Sequence, residues 1–172
     1  MKNLIKIFSF AAILGFFAAS CNTDPCKDVV CGDFGTCNEG TCTCEAGYEQ
    51  NLDGLCNTEI RAKFKGTWNV LDACNTSGSG SFICSVTDAN TTNNLQLKIT
   101  NVWNSFQNQV TATVDGNTIT FSRQAPDNDG YFVSGSGTIN ASGNTITMSY
   151  TVTDETDPNS ITTDICTSTW TK

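Results

Sequence analysis

Histidine is absent from the 172 residues. That removes the commonest general base and the commonest metal ligand together, and with them every nucleophilic triad built on Ser or Cys with His. Positive charge is scarce: nine Lys and Arg stand against seventeen Asp and Glu, a formal net charge of −8. Nucleic acid demands a basic face for its phosphates, so that partner is excluded. Neither a Walker loop nor G-x-G-x-x-G occurs, so no phosphate-cradling turn is expected. No stretch keeps helical periodicity beyond two turns, and the one sustained apolar run, Ile7 to Phe17, is too short to span a bilayer as a stable helix. Cysteine, by contrast, occurs ten times.

The first twenty residues read as a secretory signal. Lys2 and Lys6 form a charged start, Ile7 to Phe17 the apolar run, and Ala18-Ala19-Ser20 the small residues before a cleavage point. Without Lys2 and Lys6 the mature chain carries seven bases against seventeen acids. Cys21 follows at once. A small-residue triplet ending in Cys resembles the bacterial lipobox, with Ala18 where Leu is usual. The resemblance implies lipidation of Cys21 and a membrane partner reached through its acyl chains, with residues 21–25 as a tether. Ordinary cleavage, leaving Cys21 as a thiol or in a disulfide, is the alternative and would make the protein secreted. The expected location is the bacterial cell envelope, lipid-anchored at the outer membrane.

Residues 26–56 hold six cysteines in 31 residues with almost no aliphatic core. So short a segment cannot bury enough apolar surface to offset its backbone entropy, and needs covalent staples. Staples imply an oxidising compartment. Six cysteines allow fifteen pairings. The run Cys42-x-Cys44-x-x-Gly47-Tyr48 followed by Cys56, with Gly32, Gly35 and Gly40 in the turns, resembles the epidermal-growth-factor-like (EGF-like) module. The resemblance implies the pairs Cys26–Cys37, Cys31–Cys42 and Cys44–Cys56. The calcium-binding form of that module wants an acidic or amide residue where Pro25 stands, so no metal is expected there. Residues 57–65 form a short charged linker whose conformation the sequence leaves open.

From Gly66 onward the composition shifts to Thr, Ser, Asn, Val and Ile, and period-2 alternation recurs. Strands are expected over 66–73, 81–88, 95–99, 110–114, 119–121, 131–139, 146–152 and 161–171, with Asp115-Gly116 as a two-residue turn. Eight sequential strands joined by tight turns suggest an up-and-down antiparallel barrel over 66–172, whose closure abolishes exposed edges. A β-sandwich is the alternative. The Gly66-Thr67-Trp68 start resembles lipocalin-like barrels. The chain is therefore mainly β: a small disulfide-rich module, then the barrel. Setting Val70 opposite Trp170 across the first and last strands places Cys74 opposite Cys166 on one face, a disulfide that would lock the barrel seam, with Cys84 as a buried thiol. The rival pairing joins Cys74 to Cys84 and leaves Cys166 over.

Little chemistry is visible. Asp127-Asn128-Asp129-Gly130 opens like a calcium loop but lacks the later ligands, and Asp154-Glu155-x-Asp157 reads as a solvated loop. Trp103 with Phe106, just past a strand end, is the pair that could stack on a ligand such as a sugar. The expectation is a non-catalytic binding protein with no cofactor and no metal, an EGF-like spacer presenting a barrel to a small apolar ligand, a glycan or a protein. A small secreted hydrolase or isomerase working through Asp and Glu is the alternative.

Overall fold

The computed structural model describes residues 24–89 and 92–172. The leader 1–20, the lipidation candidate Cys21 and residues 22–23 of the tether lie outside the described residues.

The N-terminal region is held by sulfur. Strands β1 (Gly35–Asn38) and β2 (Thr41–Cys44) form a hairpin, and β3 (Tyr48–Glu49) pairs with β4 (Thr58–Glu59). Disulfides join Cys26 to Cys37, Cys31 to Cys42 and Cys44 to Cys56. Each closes a loop of eleven or twelve residues, worth about 3 kcal/mol against the unfolded chain. Phe34 stacks on Tyr48 at 3.8 Å, supplying much of what apolar packing the region has.

Eight further strands follow: β5 (Gly66–Cys74), β6 (Gly78–Asp88), β7 (Gln96–Thr100), β8 (Val110–Asp115), β9 (Thr118–Gln124), β10 (Tyr131–Ile139), β11 (Thr145–Asp154) and β12 (Thr162–Thr171). Each pairs antiparallel with its sequence neighbours, and β12 returns to pair with β5, so the sheet closes into a barrel. The sandwich alternative is thereby set aside. The seam register puts Trp170 opposite Val70 and Cys166 opposite Cys74.

Period 2 explains the interior. Along β5, Trp68, Val70 and Asp72 point inward; along β12, Asp164, Cys166, Ser168 and Trp170 do so; along β11, Ile146, Met148, Tyr150 and Val152. Thr and Ser take most of the outward positions between them, with Asn69, Leu71, Ala73 and Ile165 as the exceptions. The barrel is filled by its own side chains, with Trp68, Trp170, Phe121, Leu97 and Ile99 fully buried. Gly135 makes room for this filling: a Cβ there would lie 2.4 Å from that of Tyr150.

Two local expectations shift. The β8–β9 turn is Gly116-Asn117, one residue later than expected, because Asp115 already pairs with Thr118; Gly116 takes the positive φ of +52°. Strand β6 begins at Gly78 rather than Ser81, since the Gly-Ser run 78–80 pairs with Asp72, Ala73 and Cys74.

The two barrel ends differ. At one end the linker forms a 3-10 turn, Ile60–Lys63, which with Phe64 is packed beneath Trp68; the indole N–H donates to the Phe64 carbonyl at 2.8 Å. Arg61 is buried there against Glu59 at 3.0 Å and Asp88 at 3.2 Å, and Lys63 pairs with Glu49 at 2.7 Å. The disulfide-rich region therefore docks on this end, and Gly47 (φ +89°) comes so close to Asn94 that a side chain would collide with it. The opposite end carries the β5–β6, β7–β8, β9–β10 and β11–β12 loops.

Candidate functional site at the barrel mouth

The β7–β8 loop, 101–109, supplies the centre of this far end. Asn101, Trp103 and Asn104 all take left-handed backbone conformations, with φ of +58°, +58° and +52°. Asn accepts such φ values readily, but for a Trp they are costly and persist only where the surroundings over-determine them. The surroundings are visible. Asn101 donates through its side chain to the Ile83 carbonyl at 2.9 Å, and Val102 and Phe106 are buried on either side. Trp103 is left half-buried. Its ring centroid lies 6.0 Å from those of Phe106 and Tyr131, and its Nε1–H donates toward Ser77 Oγ and Asp164 Oδ2, each at 3.3 Å.

Asp164 organises the mouth from the inner face of β12. Besides Trp103 it accepts from the Thr76 N–H at 2.8 Å, the Ser77 N–H at 3.2 Å and the Ser77 hydroxyl at 2.5 Å. Burial works to raise its pKa, but these donors outweigh burial and hold it below the usual carboxylate range. One carboxylate thus fixes both the β5–β6 hairpin and the indole. Beside it, Cys74 and Cys166 form the seam disulfide. Among the described residues the one grouping of potential metal donors is Cys74, Asp164 and Cys166, and its two sulfurs are bonded to each other.

Deeper in the barrel Asp72 accepts hydrogen bonds from the Tyr150 and Ser168 hydroxyls, while the Trp170 indole N–H donates to Ser168 Oγ at 2.7 Å. Burial, then the adjacent Asp72 carboxylate, push the Tyr150 phenol well above its ordinary pKa. The Cys84 thiol is likewise pushed up to about 12, by burial first and Asp72 second, which leaves it an unreactive core residue.

Three cavities meet at Trp103. One, of about 200 Å³, reaches down to Asp72 past Cys74, Phe82 and the Gly-Ser run of β6. A second of about 200 Å³ lies between Trp103, Tyr131, Asp154 and Asp164. The third, about 310 Å³, is lined by Trp103, Ser105, Phe106, Asp127, Asp129 and Tyr131. Asp127 accepts from the Gln107 and Asn108 N–H groups at 2.9 and 2.8 Å, which overcome its burial and lower its pKa. Asp129 accepts from the Tyr131 N–H at 3.1 Å, so the Asp127–Gly130 run is a tight turn. Asp154 is lowered by the Thr156 hydroxyl and N–H, and Glu155 pairs with Arg123 at 2.5 Å.

Of the two expected ligand-contact residues, Trp103 is partly buried and Phe106 is buried, and both line the third cavity. Asp72, Tyr131, Tyr150, Asp164 and Ser168 were not singled out by sequence. A signal existed: Asp72 shares strand parity with Trp68, and Asp164 and Ser168 share it with Trp170, so three polar residues were due to face inward.

No family model matches the chain, and no curated protein matches it. Among solved structures, one described as the structure of a redesigned beta barrel is similar over 66% of this chain and 94% of that chain, at 14% sequence identity and a TM-score of 0.45, a likeness too slight to bear on function.

Proposed function

We propose that the chain is a non-catalytic binding protein of the bacterial cell envelope, anchored through acyl chains on Cys21, in which an EGF-like spacer presents a lipocalin-like barrel whose mouth takes the ligand. One observation carries the binding reading: three cavities converge on a partly buried tryptophan at the barrel end remote from the disulfide-rich region. A chain tethered at residue 21 would hold that mouth away from the membrane. The first-to-third, second-to-fourth and fifth-to-sixth order of the bridges supports the EGF-like likeness.

The filled interior favours a ligand seated at the mouth over one enclosed along the axis. Hydrolysis through paired carboxylates would need one acid raised to act as proton donor. Asp127, Asp154 and Asp164 are all lowered instead, which suits fixed acceptors and favours binding. The test has two arms. Intact mass of native material should show acyl mass on Cys21; its absence removes the anchor. Amide and indole NMR shifts of the soluble chain, titrated with neutral oligosaccharides and small polar and apolar ligands, should move Trp103 and Tyr131; shifts confined to the outer sheet face would overturn the mouth as the site.

A further inference from the structure

The charge at the mouth has one sign. Asp127 and Asp129 line the third cavity, Asp154 and Asp164 the second, and Asp72 forms part of the first. No Lys or Arg lines any of the three. Of the bases near this rim among the described residues, Arg123 is engaged with Glu155 at 2.5 Å and covers the Phe132 ring at 3.6 Å, and Lys98 lines a separate depression with Gln107, Asn108 and Asn128. The backbone and hydroxyl donors around these carboxylates orient them but do not cancel their charge. Two of them, Asp72 and Asp164, lie in the low-dielectric interior, where a field reaches further than in water. Negative potential therefore focuses on the surface formed by Trp103, Phe106 and Tyr131.

Aromatic faces carry their own negative quadrupole. Trp103, in contact with Phe106 on one side and Tyr131 on the other, beside the carboxylates of Asp127, Asp129, Asp154 and Asp164, makes a surface suited to a positive charge that is large, weakly hydrated and partly apolar. A bare metal ion fits less well. Both oxygens of Asp127 are turned to main-chain N–H groups, and one of Asp129 likewise, so few lone pairs point at a common centre; a metal would also gain nothing from the rings. A neutral sugar would use the Trp103 face but has no use for the charge.

Resting on the mouth as the binding site, we infer that the third cavity takes an organic cation, a substituted ammonium group seated on the shared face of Trp103 and Tyr131 and attracted by Asp127 and Asp129. The ligand class is thus a quaternary or alkylated amine, free or as the substituted ammonium group of a larger molecule.

The experiment follows the three indole N–H signals of the full mature chain by NMR, with buried Trp68 and Trp170 as internal controls. Choline is titrated at constant ionic strength against its uncharged carbon isostere, 3,3-dimethylbutan-1-ol, against calcium chloride and against neutral oligosaccharides. Choline should shift Trp103 saturably and bind at least about tenfold more tightly than the isostere. Asp129→Asn keeps the acceptor for the Tyr131 N–H and the fold, and should weaken choline several-fold while leaving the isostere unchanged. Equal response to choline and isostere, or response to oligosaccharide alone, overturns the cation and leaves the mouth as a binding site. Response to calcium alone overturns it in favour of a metal. Silence of Trp103 toward every probe overturns both.

Discussion

Removing the seam disulfide should loosen the barrel more than any single side-chain truncation on its wall. Cys74 and Cys166 are 92 residues apart, so their bond closes almost the whole barrel into one covalent loop. Chain entropy alone assigns a loop of that size about 4.7 kcal/mol at 25 °C, and measured losses on deleting native bridges fall at about 2–5 kcal/mol. The bond is also the last pair at the mouth end of a seam that holds six residue pairs, Cys74–Cys166 to Asn69–Thr171. Its loss leaves β5 and β12 free to fray there, where Asp164 anchors the β5–β6 hairpin and Trp103. The Cys74→Ala, Cys166→Ala double variant, with the three N-terminal bridges intact, should therefore lose about 3–5 kcal/mol in urea unfolding, and its Tm should fall by about 10–15 °C. The slope of free energy against urea should rise, because the unfolded chain expands once the cross-link is gone. A loss below about 1 kcal/mol, with the slope unchanged, would show that the strand ladder alone closes the barrel. A non-reduced peptide map joining Cys74 to Cys84 in the parent chain would refute the seam outright.

Two further outcomes test the polar interior. Tyr150→Phe keeps the ring against Phe121, 6.3 Å away, but leaves the Asp72 carboxylate with the Ser168 hydroxyl as its remaining donor; it should cost about 1.5–3 kcal/mol in urea unfolding, and a cost near zero would mean that water replaces the phenol. Asp164 titrates lower in the folded than in the unfolded chain, so its stabilisation is complete above the unfolded carboxylate pKa of about 3.9 and is lost as pH falls below it, at up to about 1.4 kcal/mol per pH unit. Asp164→Asn should give a shallower acid limb in stability against pH between pH 4 and pH 2, with Asp127 and Asp154 supplying the residual slope; an unchanged limb would refute the assignment.

The barrel was legible because four of its eight strands follow one rule closely. In β5, β8, β11 and β12 burial alternates residue by residue, with mostly apolar residues on the inner face and mostly Thr, Ser or Asn on the outer, so strand type, inward face and seam register all follow from counting. What did not follow has a physical cause in each case. The Gly-Ser run 78–80 reads as a turn by composition, and only pairing with Asp72, Ala73 and Cys74 makes it strand. The linker has no period because its turn is set by tertiary contacts: Ile60 and Phe64 under Trp68, Arg61 between Glu59 and Asp88. The left-handed backbone at Asn101, Trp103 and Asn104 is imposed from afar, by Ile83 and by Asp164 some sixty residues on. Asn tolerates such a conformation, but at Trp103 local preference opposes it, so no local reading can find the whole turn.

One further feature of the interior was legible, a gradient of polarity along the barrel axis. Read from the docked end outward, the inward residues of β5 are Trp68, Val70, Asp72; those of β12, in the same direction, are Trp170, Ser168, Cys166, Asp164. Both strands run from a buried indole to a carboxylate. Because the two strands are antiparallel neighbours, the polar ends coincide only if the sequence order of polarity is reversed between them, as it is. The barrel is thus apolar where Phe64 and Ile60 cap it and acidic where its loops open. A filled core suffices to hold eight strands together, and burying Asp72 and Asp164 requires a dedicated set of donors from Tyr150, Ser168, Ser77, Thr76 and Trp103. An apolar pair at those positions would close the barrel without that set of donors, and the polarity of this one end is the feature on which the proposed mouth site draws.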